Sequence, residues 1–146
     1  MSTRADIAIQ KFLSGYNLAQ SVLYAFREEG GLSEETALKI TCGLGAGMAR
    51  KEEVCGAVTG GILVLGMRHG RGGKYDRSAQ ERTYTKTQEL MDRFSEKHGT
   101  VICRKLLNGC ELTTKEGQEY FKDNDLLNKL CVPCVQSIVM MLEDNL

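Results

Sequence analysis

The sequence predicts an all-α fold: a single helical domain over residues 1–146, a bundle of five to seven helices around a central glycine-rich helix. Three observations lead there. No segment alternates apolar and polar residues between turn signals, which is the mark of a half-buried strand. Apolar residues recur instead three and four apart, the spacing of amphipathic helices. The longest apolar run, Val54 to Met67, has 14 residues and is closed by Glu52, Glu53 and Arg68. A membrane-spanning helix needs about 20 residues, so the run reads as buried core and no membrane span is expected.

Taken in order, Ile9, Phe12, Leu13, Tyr16, Ala19, Val22, Leu23 and Phe26 predict one amphipathic helix over residues 5–29, closed by Gly30-Gly31. Ser33 before Glu34, Glu35 and Thr36 marks a second, short helix that Ala37, Leu38 and Ile40 continue. It runs into the glycine-dense turn Cys42-Gly43-Leu44-Gly45-Ala46-Gly47-Met48, which superficially resembles a dinucleotide-binding loop. Helix rather than strand precedes it, and methionine stands where the third glycine belongs, so nucleotide binding is not expected.

The central helix is expected from about Glu52 to Arg68. Gly56 and Gly60, with Ala57 and Gly61 one step round, give it a narrow face nearly free of side chains. An interior glycine costs roughly 1 kcal/mol against alanine. Such a face is useful where a second backbone, or a bulky bound group, comes very close. A basic connection at Gly70–Gly73 leads to a long polar helix over residues 77–97, with Tyr84, Leu90, Met91 and Phe94 on its apolar stripe and His98-Gly99 as its stop. Val101 to Leu107 is a short apolar segment, Asn108-Gly109 a turn, and Thr113-Thr114-Lys115-Glu116 a helix start. In the last apolar segment, Leu126 to Leu142, the helix restarts or kinks at Pro133.

Lysine plus arginine and aspartate plus glutamate balance at 19 each, and the basic residues are spread except at Arg68–Lys74. Nucleic acid is therefore not expected as a partner. The opening Met1-Ser2-Thr3-Arg4-Ala5-Asp6 lacks the apolar core of a secretion signal, which points to a cytoplasmic location. Six cysteines in a reducing compartment favour metal binding or redox chemistry over a disulfide framework, with buried inert thiols as the alternative.

Cys131-Val132-Pro133-Cys134 is the most suggestive pair: a helix starting there would favour thiolate at Cys131, and two thiolates at that spacing are half of a four-ligand metal site. Cys42, Cys55, Cys103 and Cys110 are candidates for the other half. Cys55 is expected in the first turn of the central helix, where the helix dipole favours thiolate and Glu52 and Glu53 oppose it. His69 and His98 sit at helix ends beside glycine and are left out of the site, and Tyr16, Tyr24, Tyr75, Tyr84 and Tyr120 form no evident cluster.

Cys55-Gly56-Ala57-Val58-Thr59-Gly60 is a CGAxxG motif, and with Cys103-Arg104-Lys105-Leu106-Leu107, Cys131 and the segments Gly15-Tyr16-Asn17 and Ala19-Gln20 it makes the chain resemble the C_GCAxxG_C_C family of bacterial and archaeal redox-active proteins. The resemblance spans nearly the whole chain. It implies a redox role and an association with transport genes, without a defined reaction or substrate. The sequence departs from the pattern at Leu18, where the family has its first cysteine; Cys42, Cys110 or Cys134 would have to replace that sulfur, or else the chemistry is lost.

Two functions of different class follow. In the first, Cys55, Cys103, Cys131 and Cys134 are the catalytic thiols, Gly56 and Gly60 adjoin a cofactor, and Cys42, Cys55, Cys103 and Cys131 form a metal set that would take zinc or an iron–sulfur cluster. In the second, the chain is a non-catalytic helical module docking on a transporter or a redox partner protein, or forming a homodimer, with its cysteines as buried filler.

Overall fold

A computed structural model describes residues 3–74, 76–144 and 146. Met1, Ser2 and Tyr75, named above, lie outside the described residues. Among the described residues nine helical segments follow one another: α1 (Arg4–Leu13), α2 (Leu18–Phe26), α3 (Glu34–Thr41), α4 (Gly45–Met48), α5 (Gly56–His69), α6 (Arg77–His98), α7 (Cys103–Leu106), α8 (Lys115–Asp123) and α9 (Val132–Glu143). Seven have eight residues or more, α4 and α7 being single turns. Among the described residues there is no strand, only an isolated antiparallel bridge between Val54 and Ile102. The fold is all-α.

The helix expected over residues 5–29 is two helices. Gly15 takes φ +114°, a left-handed conformation that ends α1. Asn17 then starts α2 with a capping box: its side chain accepts from the Gln20 amide at 2.8 Å, and Gln20 Oε1 accepts from the Asn17 amide at 2.9 Å. The apolar spacing runs through the break because both helices bury a face in the same core, including Ala8, Phe12, Val22, Leu23 and Phe26. Other expected boundaries hold. Ser33 caps α3, Thr114 caps α8, and Gly31 and Gly99 end their segments in left-handed conformation. A π-turn over Leu127–Cys131 runs without a break into α9, which has Pro133 in its first turn, where its missing amide is tolerated.

Helix α5 starts later than expected, at Gly56. Residues before it are held extended: the Cys55 amide donates to the Val101 carbonyl at 2.8 Å and the Cys103 amide to the Glu53 carbonyl at 2.6 Å. Its neighbours are α2, α6 and α9. The glycines divide between them. A Cβ built on Gly60 would lie 2.9 Å from the Ala19 carbonyl oxygen and 3.0 Å from the Ala19 Cα, so the backbone of α2 fills that face. Gly61 instead faces Leu90 of α6 and Ile138 of α9, each 3.0 Å from such a Cβ. The single glycine face expected from the sequence is thus two packing faces.

Between α3 and α5 the chain makes a left-handed turn: Ala46, Gly47, Met48, Ala49 and Arg50 have φ between 53° and 68°, and Glu52 has φ 58°. Each non-glycine residue held this way costs roughly 1–2 kcal/mol. Hydrogen bonds from the Glu53 amide to the Gly47 carbonyl (2.9 Å) and from the Glu52 amide to the Ala46 carbonyl (3.3 Å) hold it. At Gly47 a Cβ would meet Glu52 Cα at 2.6 Å and Cys103 Cβ at 2.8 Å, so only glycine fits.

Among the described residues no single helix is long and apolar enough to cross a membrane. Helices α8 and α9 together have the length and composition, but they meet at 73°, and Val135, Ile138, Val139 and Leu142 of α9 are buried within the fold.

Candidate functional site: a thiol-lined cavity

Four cysteines from three parts of the chain reach one place. Cys55 precedes α5, Cys103 opens α7, Cys131 precedes α9 and Cys134 lies in the first turn of α9. With Leu18, Leu106, Leu107 and Leu130 they line a cavity of about 20 Å³, room for little more than one water-sized group. All four are buried, and all six cysteines of the chain carry free thiols. The elements that bring them together are the bridge of Val54 to Ile102, which ties the Cys55 strand-like entry to the Cys103 turn, and the packing of α5 on α9.

The four thiols are not equivalent. Cys55 is held below the usual thiol range, first by a hydrogen bond from the Cys134 thiol; burial opposes this, and the Ala57 and Val58 amides at the start of α5 support it. No regular capping bond to the Cys55 sulfur forms, so the amides act as nearby dipoles. The Cys134 thiol has two acceptors in reach, the Cys55 sulfur and the Leu130 carbonyl oxygen at 3.1 Å. Donation to Cys55 pushes Cys134 far up, with burial adding to it. Burial, then negative charge on Cys55, pushes both Cys103 and Cys131 up to about 12. The thiolate expected at Cys131 from the start of α9 is therefore corrected: burial outweighs the dipole there, and the favoured thiolate is Cys55.

Cys42 does not join the others. It is exposed and lines a separate surface groove with Tyr16, Gln20, Leu38 and Lys39. The metal set Cys42, Cys55, Cys103 and Cys131 is thus not brought together, and among the described residues no group of three or more His, Cys, Asp or Glu side chains is arranged to hold a metal ion. Gly56 and Gly60 are corrected as well: Leu18, Ala19 and Val22 of α2 stand against them and leave no space for a cofactor.

Cys110 lies outside the cavity, its thiol donating to the Gly117 carbonyl at 3.1 Å. His98 pairs with Ser137 at 2.8 Å and stacks on Phe94, while His69 pairs with the Leu146 carbonyl at 2.9 Å, so both histidines tie helix ends to the core. Glu52 does not line the cavity but is a buried neighbour of it that the sequence reading did not bring out. Its side chain is fully enclosed beside Cys103 and Cys110. A Lys51-Glu52-Glu53 run reads as solvated, and nothing in the local sequence marks the left-handed turn that turns Glu52 inward.

No match to the chain is found among curated proteins or solved structures. A family model does match, over residues 16–145, and its description is "Putative redox-active protein (C_GCAxxG_C_C)". The match covers most of the chain and contains all four cavity cysteines together with Leu18. The chain belongs to the C_GCAxxG_C_C family.

Proposed function

We propose that this protein is a dithiol redox protein in which Cys55 is the attacking sulfur and Cys134 resolves the product. What supports the reading is the gathering of four cysteines at one cavity, with the Cys134 thiol in reach of a Cys55 sulfur that favours thiolate. The thiolate is the nucleophile in disulfide exchange. Cys55 attacks one sulfur of a partner disulfide; the partner's other sulfur leaves with the electron pair and is protonated. The Cys134 thiol then attacks the Cys55 sulfur of the mixed disulfide, its proton passing to the departing second partner sulfur, which leaves as a thiol as Cys55–Cys134 closes. One disulfide is reduced and two thiols are oxidised.

Cys55 and Cys134 are each only 3% exposed. Exchange therefore proceeds through a local opening, which protects the pair from casual oxidation. The natural partner is a protein or small molecule bearing a reducible disulfide.

Mild oxidation by oxidised glutathione, followed by alkylation and peptide mapping, tests this. The expected product is a Cys55–Cys134 disulfide that a dithiol reductant reverses. Reaction at Cys42 alone, with five thiols inert until denaturation, would leave the non-catalytic docking module as the function.

A further inference from the structure

Glu52 is buried at the foot of the left-handed turn, with 2% of its surface exposed. Its Oε1 accepts the Leu112 amide at 3.0 Å and lies 3.6 Å from Arg104 Nη2. Its Oε2 is enclosed and has no hydrogen-bond partner among the described residues. A buried oxygen left this way is costly unless something uses it. The Glu52 and Cys103 backbones are neighbours across Gly47: a Cβ there would lie 2.6 Å from Glu52 Cα and 2.8 Å from Cys103 Cβ. Two backbone bonds fix the pair: the Cys103 amide to the Glu53 carbonyl at 2.6 Å and the Arg104 amide to the Glu52 carbonyl at 3.3 Å.

We propose that Glu52 is the proton acceptor for Cys103, making Cys103 the second attacking thiol of the cavity. This rests on the dithiol reading above. Once Cys55–Cys134 is closed, the Cys103 sulfur attacks the Cys55 sulfur while its proton passes to Oε2. The bond to Cys134 breaks, its electron pair stays on the Cys134 sulfur, and that sulfur takes up a proton. The product is Cys55–Cys103 with Cys134 reduced; the count of disulfides is unchanged and no oxidant is consumed. The oxidising equivalent has moved from α9 to the α7 turn.

The groups around this transfer are few. Arg104 and the thiols of Cys103 and Cys110 face Glu52; Cys103 is faced by Cys55, Cys110, Cys131, Cys134, Glu52 and Arg104. Burial, then charge on Cys55 and on Glu52, pushes the Cys103 thiol up to about 12. At neutral pH it attacks only if a base takes its proton.

The test uses the full chain oxidised by oxidised glutathione, quenched in acid at intervals and mapped by mass spectrometry. In the wild type, Cys55–Cys134 forms first and passes to Cys55–Cys103 at a rate that is level across neutral pH. Glu52→Gln should form the first disulfide at the normal rate, slow the second step at least ten-fold at pH 7, and make that step rise ten-fold per pH unit. An unchanged second step in Glu52→Gln overturns the proposal. Should that variant fail to fold, the wild-type profile decides: a ten-fold rise per pH unit in the wild type overturns it equally. Formation of Cys55–Cys134 without any passage to Cys103 sinks this proposal alone, whereas absence of the first disulfide sinks the dithiol reading with it.

Discussion

Leu18 packs over Gly56: a Cβ placed on that glycine would stand 3.3 Å from the Leu18 Cβ, and the Leu18 side chain also lines the thiol cavity. Leu18, the position at which the sequence departs from the pattern it resembles, therefore shares one cavity with Cys55, Cys103, Cys131 and Cys134. Leu18→Cys should add a reactive thiol at the cavity and form a disulfide with one of its cysteines under mild oxidation, as mapped by mass spectrometry. Losing the larger side chain should cost about 1–3 kcal/mol in the reduced protein. An introduced thiol that stays reduced while Cys55–Cys134 forms would show that the first-cysteine position has no role in this chain's cavity.

Gly60 and Gly66 lie on the same helix and predict opposite outcomes. Gly60→Ala drives a methyl to 2.9 Å from the Ala19 carbonyl oxygen. Overpacking against backbone costs about 1–3 kcal/mol, more than the roughly 1 kcal/mol of helix propensity it gains. Its Tm should fall. Gly66, with nothing within 4 Å of a Cβ, should raise Tm when replaced by alanine. Equal shifts in thermal denaturation would remove the close approach of α2 as the reason for Gly60.

Alkali should destabilise the fold through its buried thiols. Cys103 and Cys131 are raised from an ordinary value of 9.0 to about 12. Between those values the unfolded chain loses protons that the folded chain keeps, so stability is full below about pH 9 and falls as pH rises toward 12. Cys55, held below its ordinary value, has the opposite sign: it contributes above that value and loses its contribution as pH falls through its folded one. Urea midpoints of wild type and Cys103→Ala at pH 8 to 11 check this, and the variant should show the shallower decline. Parallel slopes would contradict it.

Helix starts at Ser33 and Thr114 and stops at Gly31 and Gly99 were legible because each boundary needs a specific local chemistry that the sequence displays. The break between α1 and α2 was masked by apolar spacing that continues across it, although Asn17 and Gln20 already spell a capping box. The turn at Ala46–Arg50 was illegible for a physical reason: four non-glycine residues take a conformation their own propensities oppose, imposed by packing against Glu52 and Cys103. Of the site, the motif pointed to Cys55, Cys103 and Cys131. The choice of Cys134 over Cys42 depended on how α9 returns to α5, which no local pattern states.

The central claim is a reversible two-electron couple between Cys55 and Cys134. Equilibrating the protein in glutathione buffers of graded potential, then counting oxidised and reduced forms by mass after alkylation, measures it directly. A single transition with the slope of a two-electron couple, about 30 mV per ten-fold change, should appear in the wild type and in Cys42→Ser, vanish in Cys55→Ser, and lose its Cys55–Cys134 product in Cys134→Ser. A transition that survives in Cys55→Ser, or none in the wild type, would contradict the account.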